Sequence, residues 1–394
     1  MFIRHILLAA LPALAASVRV RSAAYEEFRA AYGRGNTSDF AQRLAFFNSR
    51  AAKVAAVNGR KNSPWKAALN GLADLSDAEF RRLLGHRPAK RSAESFLQLH
   101  SGVRRSDFGH TRLRQLTDEL LKLAGREPRA PLPGLPVALD WRSAVNGSGR
   151  IREQGACGSC WAAAAAGALE LHAEIYGKKA PQELSVKQLL DCVDNPRHCG
   201  GKGGCSGASA ELAFQYVSKY GLSSHAAYGG DAEREDACAA GVAGRRPHVQ
   251  LAGFAHLPSN NLHSVLQALT QKGPLVVGVD ASRWDIYGSG VFDGCDQDAT
   301  INHAVLLVGY GQDPFFGHRF WLIRNSWGKG WGEDGYMRLL RHDHDRGSEG
   351  FCGTDQNPQE GVWCEGGAKE VPVCGMCGIL SDATYPEHVT IVPE

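Results

Sequence analysis

The stretch Gln154-Gly155-Ala156-Cys157-Gly158-Ser159-Cys160-Trp161 constrains this chain most, because it carries a cysteine out of a tight loop and into a helix. Residues 161–175 read Trp-Ala-Ala-Ala-Ala-Ala-Gly-Ala-Leu-Glu-Leu-His-Ala-Glu-Ile, an alanine-dense run of high helix propensity, whereas Gly155 and Gly158 suit the loop before it. Cys160 is therefore expected at a helix N-terminus, where unpaired N–H groups and the positive end of the helix dipole favour an anion. A thiol placed there should ionise more readily than a free cysteine, and the thiolate is the form that attacks carbonyls.

A thiolate nucleophile needs a proton acceptor and a group that orients it. Two later stretches offer them: Asn302-His303-Ala304-Val305-Leu306-Leu307-Val308-Gly309-Tyr310-Gly311 and Trp321-Leu322-Ile323-Arg324-Asn325-Ser326-Trp327-Gly328. Each is an apolar run bounded by glycine, the pattern of a buried strand, with His303 or Asn325 at one end where it can face a cleft. His303 follows Cys160 by 143 residues. That interval, together with the Cys-Gly-Ser-Cys-Trp pattern, resembles the papain-like cysteine peptidases, the cathepsin group.

The resemblance implies roles for matching residues only. Cys160 would be the nucleophile, His303 the general base and then acid, and Asn325 the group that holds the imidazole. Gln154, with the Cys160 N–H, would form the oxyanion hole, and Trp327 would shield the His303–Asn325 bond. A thiolate–imidazolium pair is expected to lower the sulfur pKa further. Gly158, Gly207, Ala208, Asn302, Trp327 and Asp382 are the implied substrate-binding positions. Asp382 would floor the pocket for the second residue before the scissile bond and admit arginine or lysine beside apolar side chains. Ala208 stands where the family often has glycine.

The implied fold is α+β: a helical subdomain facing a β-barrel-like one, preceded by an α-helical propeptide. Within the mature part, residues to about 245 read as helix-rich. Strand candidates fall at Pro274–Val279, Ala304–Tyr310, Phe320–Arg324 and Tyr336–Leu340.

Eleven cysteines and an N-terminal leader point to an oxidising compartment. With Cys160 free, the family pattern implies the pairs Cys157–Cys205, Cys192–Cys238 and Cys295–Cys377. Cys199, Cys352, Cys364 and Cys374 remain, and their three pairings are inseparable by sequence. A metal is the rival reading, since Cys374 and Cys377 have CxxC spacing and His342-Asp343-His344-Asp345 lies nearby. An oxidising compartment and the want of a second close cysteine pair argue against it, so neither a metal nor another cofactor is expected.

Residues 1–16 read as a signal peptide: a short basic start, then an apolar run too short to span a bilayer. Residues 25–85 resemble an inhibitory propeptide. The series Asp39, Arg43, Phe47, Arg50, Val54, Asn58 recurs at helical spacing, with Asp39, Arg50 and Val54 departing from the family motif. Ser76 and Glu79 form a capping box. Residues 86–134 read as a linker and activation segment, and residues 135–394 as the peptidase domain, with an inserted loop at about 342–373. A net charge of +3 with no basic stripe excludes a nucleic-acid partner. The expected partners are peptides, proteins and the chain's own propeptide. The expected state is a monomer without a membrane span, in the secretory pathway, whether lysosomal, vacuolar or extracellular. A non-catalytic binding protein of the same fold and a transpeptidase using the same acyl-enzyme are the alternatives. Asn36 and Asn146 stand in glycosylation sequons.

Overall fold

The structure, a computed structural model, describes residues 22–35, 38–85, 134–145, 150–230, 232–239, 247–314, 316–343 and 350–392. The leader, residues 86–133 and both sequon asparagines lie outside these. No helix among the described residues is long and apolar enough to cross a membrane.

The N-terminal segment begins with helix α1 over residues 22–31, followed by α2 (Phe40–Asn58). Their shared core is aromatic: the rings of Tyr25 and Phe28 lie 5.2 and 5.1 Å from that of Phe47, three side chains that helical periodicity turns to a common face. Asn58 ends α2 by bonding both the N–H and the C=O of Ala67, each at 2.9 Å. This sets the short strand β1 (Trp65–Ala67). The sequence reading treated residues 25–85 as helical and missed β1. Three residues are too few to show alternation, and β1 exists only because it pairs antiparallel with residues 287–290 far along the chain. Helix α3 (Asp77–Leu83) follows, opened by the reciprocal capping box of Ser76 and Glu79.

After β2 (Leu139–Asp140) comes α4 (Cys160–Gly177), in which every residue from Cys160 to Glu174 is buried. A helix buried on all sides must be packed on all sides, and α4 is the central post of the fold. Against it lie α5 (Val186–Cys192), α6 (Ala210–Tyr220) and the sheet, with the short α7 (His225–Tyr228) beyond. The second half supplies β3 (Val249–His256), α8 (Leu262–Gln271), β4 (Leu275–Val279), β5 (Tyr287–Phe292), β6 (His303–Gln312), β7 (Arg319–Arg324) and β8 (Tyr336–Leu340). Then come β9 (Cys352–Asp355), β10 (Val371–Cys374) and β11 (Ala383–Ile391).

The main sheet runs β1-β5-β8-β7-β6-β4-β11-β3, with β2 on β6, and is antiparallel except between β5 and β8. The sheet subdomain that the resemblance implied is present, and among the described residues its sheet stays open instead of closing into a barrel. Its β5 edge is covered by β1 of the N-terminal segment, while β3 packs on α6. Pairing a foreign strand at one edge and a helix near the other protects the edges without closure.

Five disulfides join Cys157–Cys205, Cys192–Cys238, Cys295–Cys377, Cys199–Cys364 and Cys352–Cys374, and Cys160 is free and buried. The thiols of the CxxC pair are thus spent on Cys352 and Cys295. Within the inserted segment β9 and β10 form a two-stranded ladder with Cys352 opposite Cys374, and Cys199–Cys364 ties it to the loop after α5.

Arg50, a departure from the family motif, is where the N-terminal segment grips the rest. Its Nε lies 3.1 Å from Asp285 Oδ2, it also donates to the Leu75 carbonyl, and its side chain is 3% exposed. Removing one partner of a buried pair costs roughly 3–5 kcal/mol because the other charge is stranded. Arg50→Ala should therefore speed amide exchange at Trp65–Ala67 on the order of 100-fold or more in the full chain. Exchange unchanged by the substitution would show that Asp285 is not the anchor.

Candidate active site

Cys160 stands at the first position of α4, in a turn held by two glycine-dependent approaches. A Cβ on Gly158 would fall 2.7 Å from the Cys205 carbonyl and 3.0 Å from that of Arg82. His303 opens β6, and strand pairing with β7 brings Asn325 beside it. His303 Nε2 lies 2.8 Å from Asn325 Oδ1. An amide oxygen only accepts, so Nε2 carries the hydrogen and Nδ1 is the basic nitrogen of the neutral ring. That Nδ1 is buried with no hydrogen-bond partner. The sulfur of Cys160 lies at the Ala304 N–H, one residue past His303.

Aromatic rings wall the pair from water. Trp327 lies 4.8 Å from the imidazole between ring centres, and the edges of Trp284 and Trp331 pack on Trp327 at 6.4 and 5.1 Å. Gln154 is fixed by its N–H to the Ser326 carbonyl and by the Ser326 hydroxyl to its Oε1 at 2.7 Å. Its Nε2 donates to the Cys157 carbonyl at 2.8 Å and to Leu83 O at 2.9 Å. Leu83 belongs to the N-terminal segment: a foreign backbone carbonyl occupies the donor that sequence reasoning assigned to an oxyanion.

The same segment fills the groove around it. Phe80 packs edge-on against Trp327 at 5.6 Å, the Arg82 carbonyl overlies Gly158, and Gly85 reaches Gly207. Leu83 and Leu84 are 3% and 2% exposed. The run Phe80 to Gly85 thus crosses from Trp327 past Cys160 to Gly207.

This cover reverses the electrostatics expected from sequence. Burial pushes the Cys160 thiol up to about 11, outweighing the N–H groups of Ala304, Trp161 and Cys160 that favour the thiolate. Burial likewise pulls His303 down to about 4 against the Asn325 bond. Burial thus favours a thiol and a neutral imidazole here, against the thiolate–imidazolium pair expected from the helix terminus alone. The dipole acts over one turn, whereas desolvation acts on the whole charge.

Of the other sequence-derived positions, Asn302 turns inward. Its amide bonds Ser282, Asp280 and the Ala281 N–H, so its side chain is part of the wall behind His303. Ala208 is buried and its carbonyl approaches Gly200. Asp382 bonds His256 at 2.9 Å and stands opposite Gly278. Glu211 completes that cluster: the ligand-type atoms of Glu211, His256 and Asp382 lie within 4.8 Å of one another. Burial and then the Asp382 charge push Glu211 up to about 7, while Asp382 raises His256. Sequence reasoning missed Glu211, His256, Leu83 and Ser326. Only the Leu83-Leu84 pair after a capped helix left a sequence signal.

A family model described as "Papain family cysteine protease" matches residues 135–361. The chain belongs to the papain family. It is accordingly a cysteine-type peptidase. It is 31% identical over 359 residues to "Thiol protease SEN102" of Hemerocallis sp., covering 90% of this chain and 82% of that one. To "Cathepsin L-like proteinase" of Phaedon cochleariae it is 32% identical over 355 residues, covering 86% and 96%. Among solved structures, digestive procathepsin L 3 of Tenebrio molitor larval midgut superposes with a TM-score of 0.64 at 26% identity, covering 93% of this chain and 98% of that one. That papain-family structure is a proform, as is the arrangement here, with the N-terminal segment lying in the cleft as the enzyme's own inhibitor.

Glu79 holds α3 in this position. Burial raises its carboxyl, but the twin 2.7 Å bonds from Arg43, aided by Ser76, outweigh burial and draw it down to about 2. A carboxyl held below its unfolded value lends stability that is present above about 4.5 and is lost as pH falls from there toward 2. The melting midpoint of a Cys160→Ser full-length chain should drop as pH goes from about 5 to about 3. Glu79→Gln should start lower and fall less steeply. An unaltered slope in Glu79→Gln would remove this carboxyl from the acid response.

Proposed function

We propose that the chain is the zymogen of an endopeptidase that cleaves peptide bonds through an acyl-enzyme on Cys160. The observation that carries the reading is the Leu83 carbonyl on Gln154 Nε2, in the loop that leads into a buried Cys160 and joined through Ser326 to the His303–Asn325 pair. A substrate carbonyl bound in the place of Leu83 would have its carbon next to the sulfur and its oxygen on a prepaid donor.

With the propeptide gone, water reaches the site and the proton passes from the Cys160 sulfur to His303 Nδ1. Two opposite charges side by side then stabilise each other. The sulfur attacks the scissile carbonyl carbon. Imidazolium gives its proton to the leaving amine as the C–N bond breaks, leaving a thioester. Water, deprotonated by His303, attacks the thioester, and the released sulfur completes the cycle. Asn325 keeps the Nε2–H engaged, so the ring meets the sulfur through Nδ1 in every step.

Residues 1–16 act as the secretory leader, 25–85 as the inhibitor, and 86–134 as the segment cut on maturation, giving an enzyme of residues 135–394. The five disulfides support folding in an oxidising compartment of the secretory pathway.

Asp382, Glu211 and His256 form an acidic subsite for the second residue before the scissile bond. The negative charge there comes from the partly desolvated Asp382, and such a carboxylate favours a guanidinium or ammonium.

Two measurements test the reading. Neutral iodoacetamide should alkylate Cys160 at least about 100-fold faster after residues 25–85 are cleaved away, since a thiol near 11 is almost wholly protonated. Equal rates before and after, or no peptide hydrolysis by the cleaved form, would defeat the zymogen assignment. On the matured enzyme, Asp382→Ala should lower the Arg-to-Leu ratio of kcat/KM at that substrate position roughly tenfold, equivalent to about 1.4 kcal/mol. A constant ratio removes Asp382 from the pocket.

A further inference from the structure

Beneath the catalytic strands three arginines, Arg150, Arg152 and Arg324, stand around one carboxylate, which pairs with the first two. Glu170 of α4 is 1% exposed, and Arg152 grips it with Nη2 at 2.6 Å and Nη1 at 3.1 Å. Its Oε1 also takes the Leu184 N–H at 2.8 Å and lies 3.1 Å from Arg150 Nη1. The carboxylate is therefore fully engaged. Arg324, at the end of β7 and 5% exposed, makes no ion pair among the described residues, although it bonds the Tyr336 hydroxyl. Three guanidinium charges face one ion-paired carboxylate, with Glu183 acting on Arg152 from farther away, so positive charge is in excess.

Arg150, Arg152 and Arg324 line one cavity of about 10 Å³, whose remaining wall includes Ala304, Asn325 and Ser326. Among the residues that line it, Arg150 Nη1, Arg152 Nε, Arg324 Nη1 and Asn325 Nδ2 are buried without a hydrogen-bond partner. Buried donors are normally satisfied, and a buried unmatched charge is costlier still. Burial, followed by repulsion from Arg152, pulls the Arg324 guanidinium down to about 10. The site thus has unmatched positive charge, unspent N–H donors, and room for about one water-sized sphere. A phosphate or a carboxylate-bearing metabolite would not fit.

We propose that this cavity binds a single small monovalent inorganic anion, of the chloride class, between Arg152 Nε and Arg324 Nη1. The anion cancels one excess charge and links α4's ion-pair network to the strand ends that carry His303 and Asn325. It is a stabilising ligand of the proform and mature enzyme alike, and does not depend on the peptidase reading.

The proposal is tested on the full-length Cys160→Ser chain, which cannot cleave itself. Its melting midpoint should be higher in sodium chloride than in sodium gluconate of equal ionic strength, by about 5 °C at chloride a hundredfold above its Kd. Arg324→Gln should melt identically in the two salts. Should that variant not fold, crystals of the otherwise unsubstituted chain in millimolar bromide decide. An anomalous bromine peak within hydrogen-bond reach of Arg152 Nε and Arg324 Nη1 upholds the site. A cavity holding water alone in bromide overturns it.

Discussion

Withdrawal of a sulfur and an imidazole from water is the constraint on which this structure turns. The Cys160 thiol near 11 and the His303 ring near 4 are both forced toward neutrality by burial. Neither the helix terminus at Cys160 nor the Asn325 bond at His303 offsets that loss of solvent. Along the site runs a cover of six residues, Phe80 to Gly85. It is held at a distance by contacts that touch no reacting atom: Arg50 on Asp285, β1 on β5, and Arg43 on Glu79. Inhibition here is therefore both steric and electrostatic.

Helix α4 joins this chemistry to the core. Its first residue is the nucleophile, and its alanines let the sheet and the helices approach closely on all sides. Ten residues on, the same helix presents Glu170 to the arginines under β6 and β7. A helix with a reacting group at one end and an ion-pair network in its middle cannot shift without disturbing both. The buried charge beneath the site bears on catalysis as well as on stability.

The local elements were well marked. Alanine density and flanking glycines placed α4, and β4, β6, β7 and β8 fell within a residue or so of the apolar runs that signalled them. The capping box at Ser76 and Glu79 was readable residue by residue. What was not marked depended on distant partners. The strand at Trp65–Ala67 is defined by residues 287–290, and Glu211 and His256 join Asp382 only through folding. The resemblance implied Asn302 as a substrate-binding position, and its side-chain amide bonds the turn at Asp280–Ser282.

Which groups could react, and which segments could be helices or strands, followed from residue type and spacing, because those properties belong to side chains and near neighbours. Protonation was decided elsewhere. A pKa depends on how much water surrounds a group, and only the folded chain sets that, by burying Cys160 and His303 and laying Leu83 on Gln154. The pairing of Cys199 with Cys364 and of Cys352 with Cys374 was decided in the same way. A disulfide requires two sulfurs to meet, and proximity across 165 residues is a property of the packed structure alone.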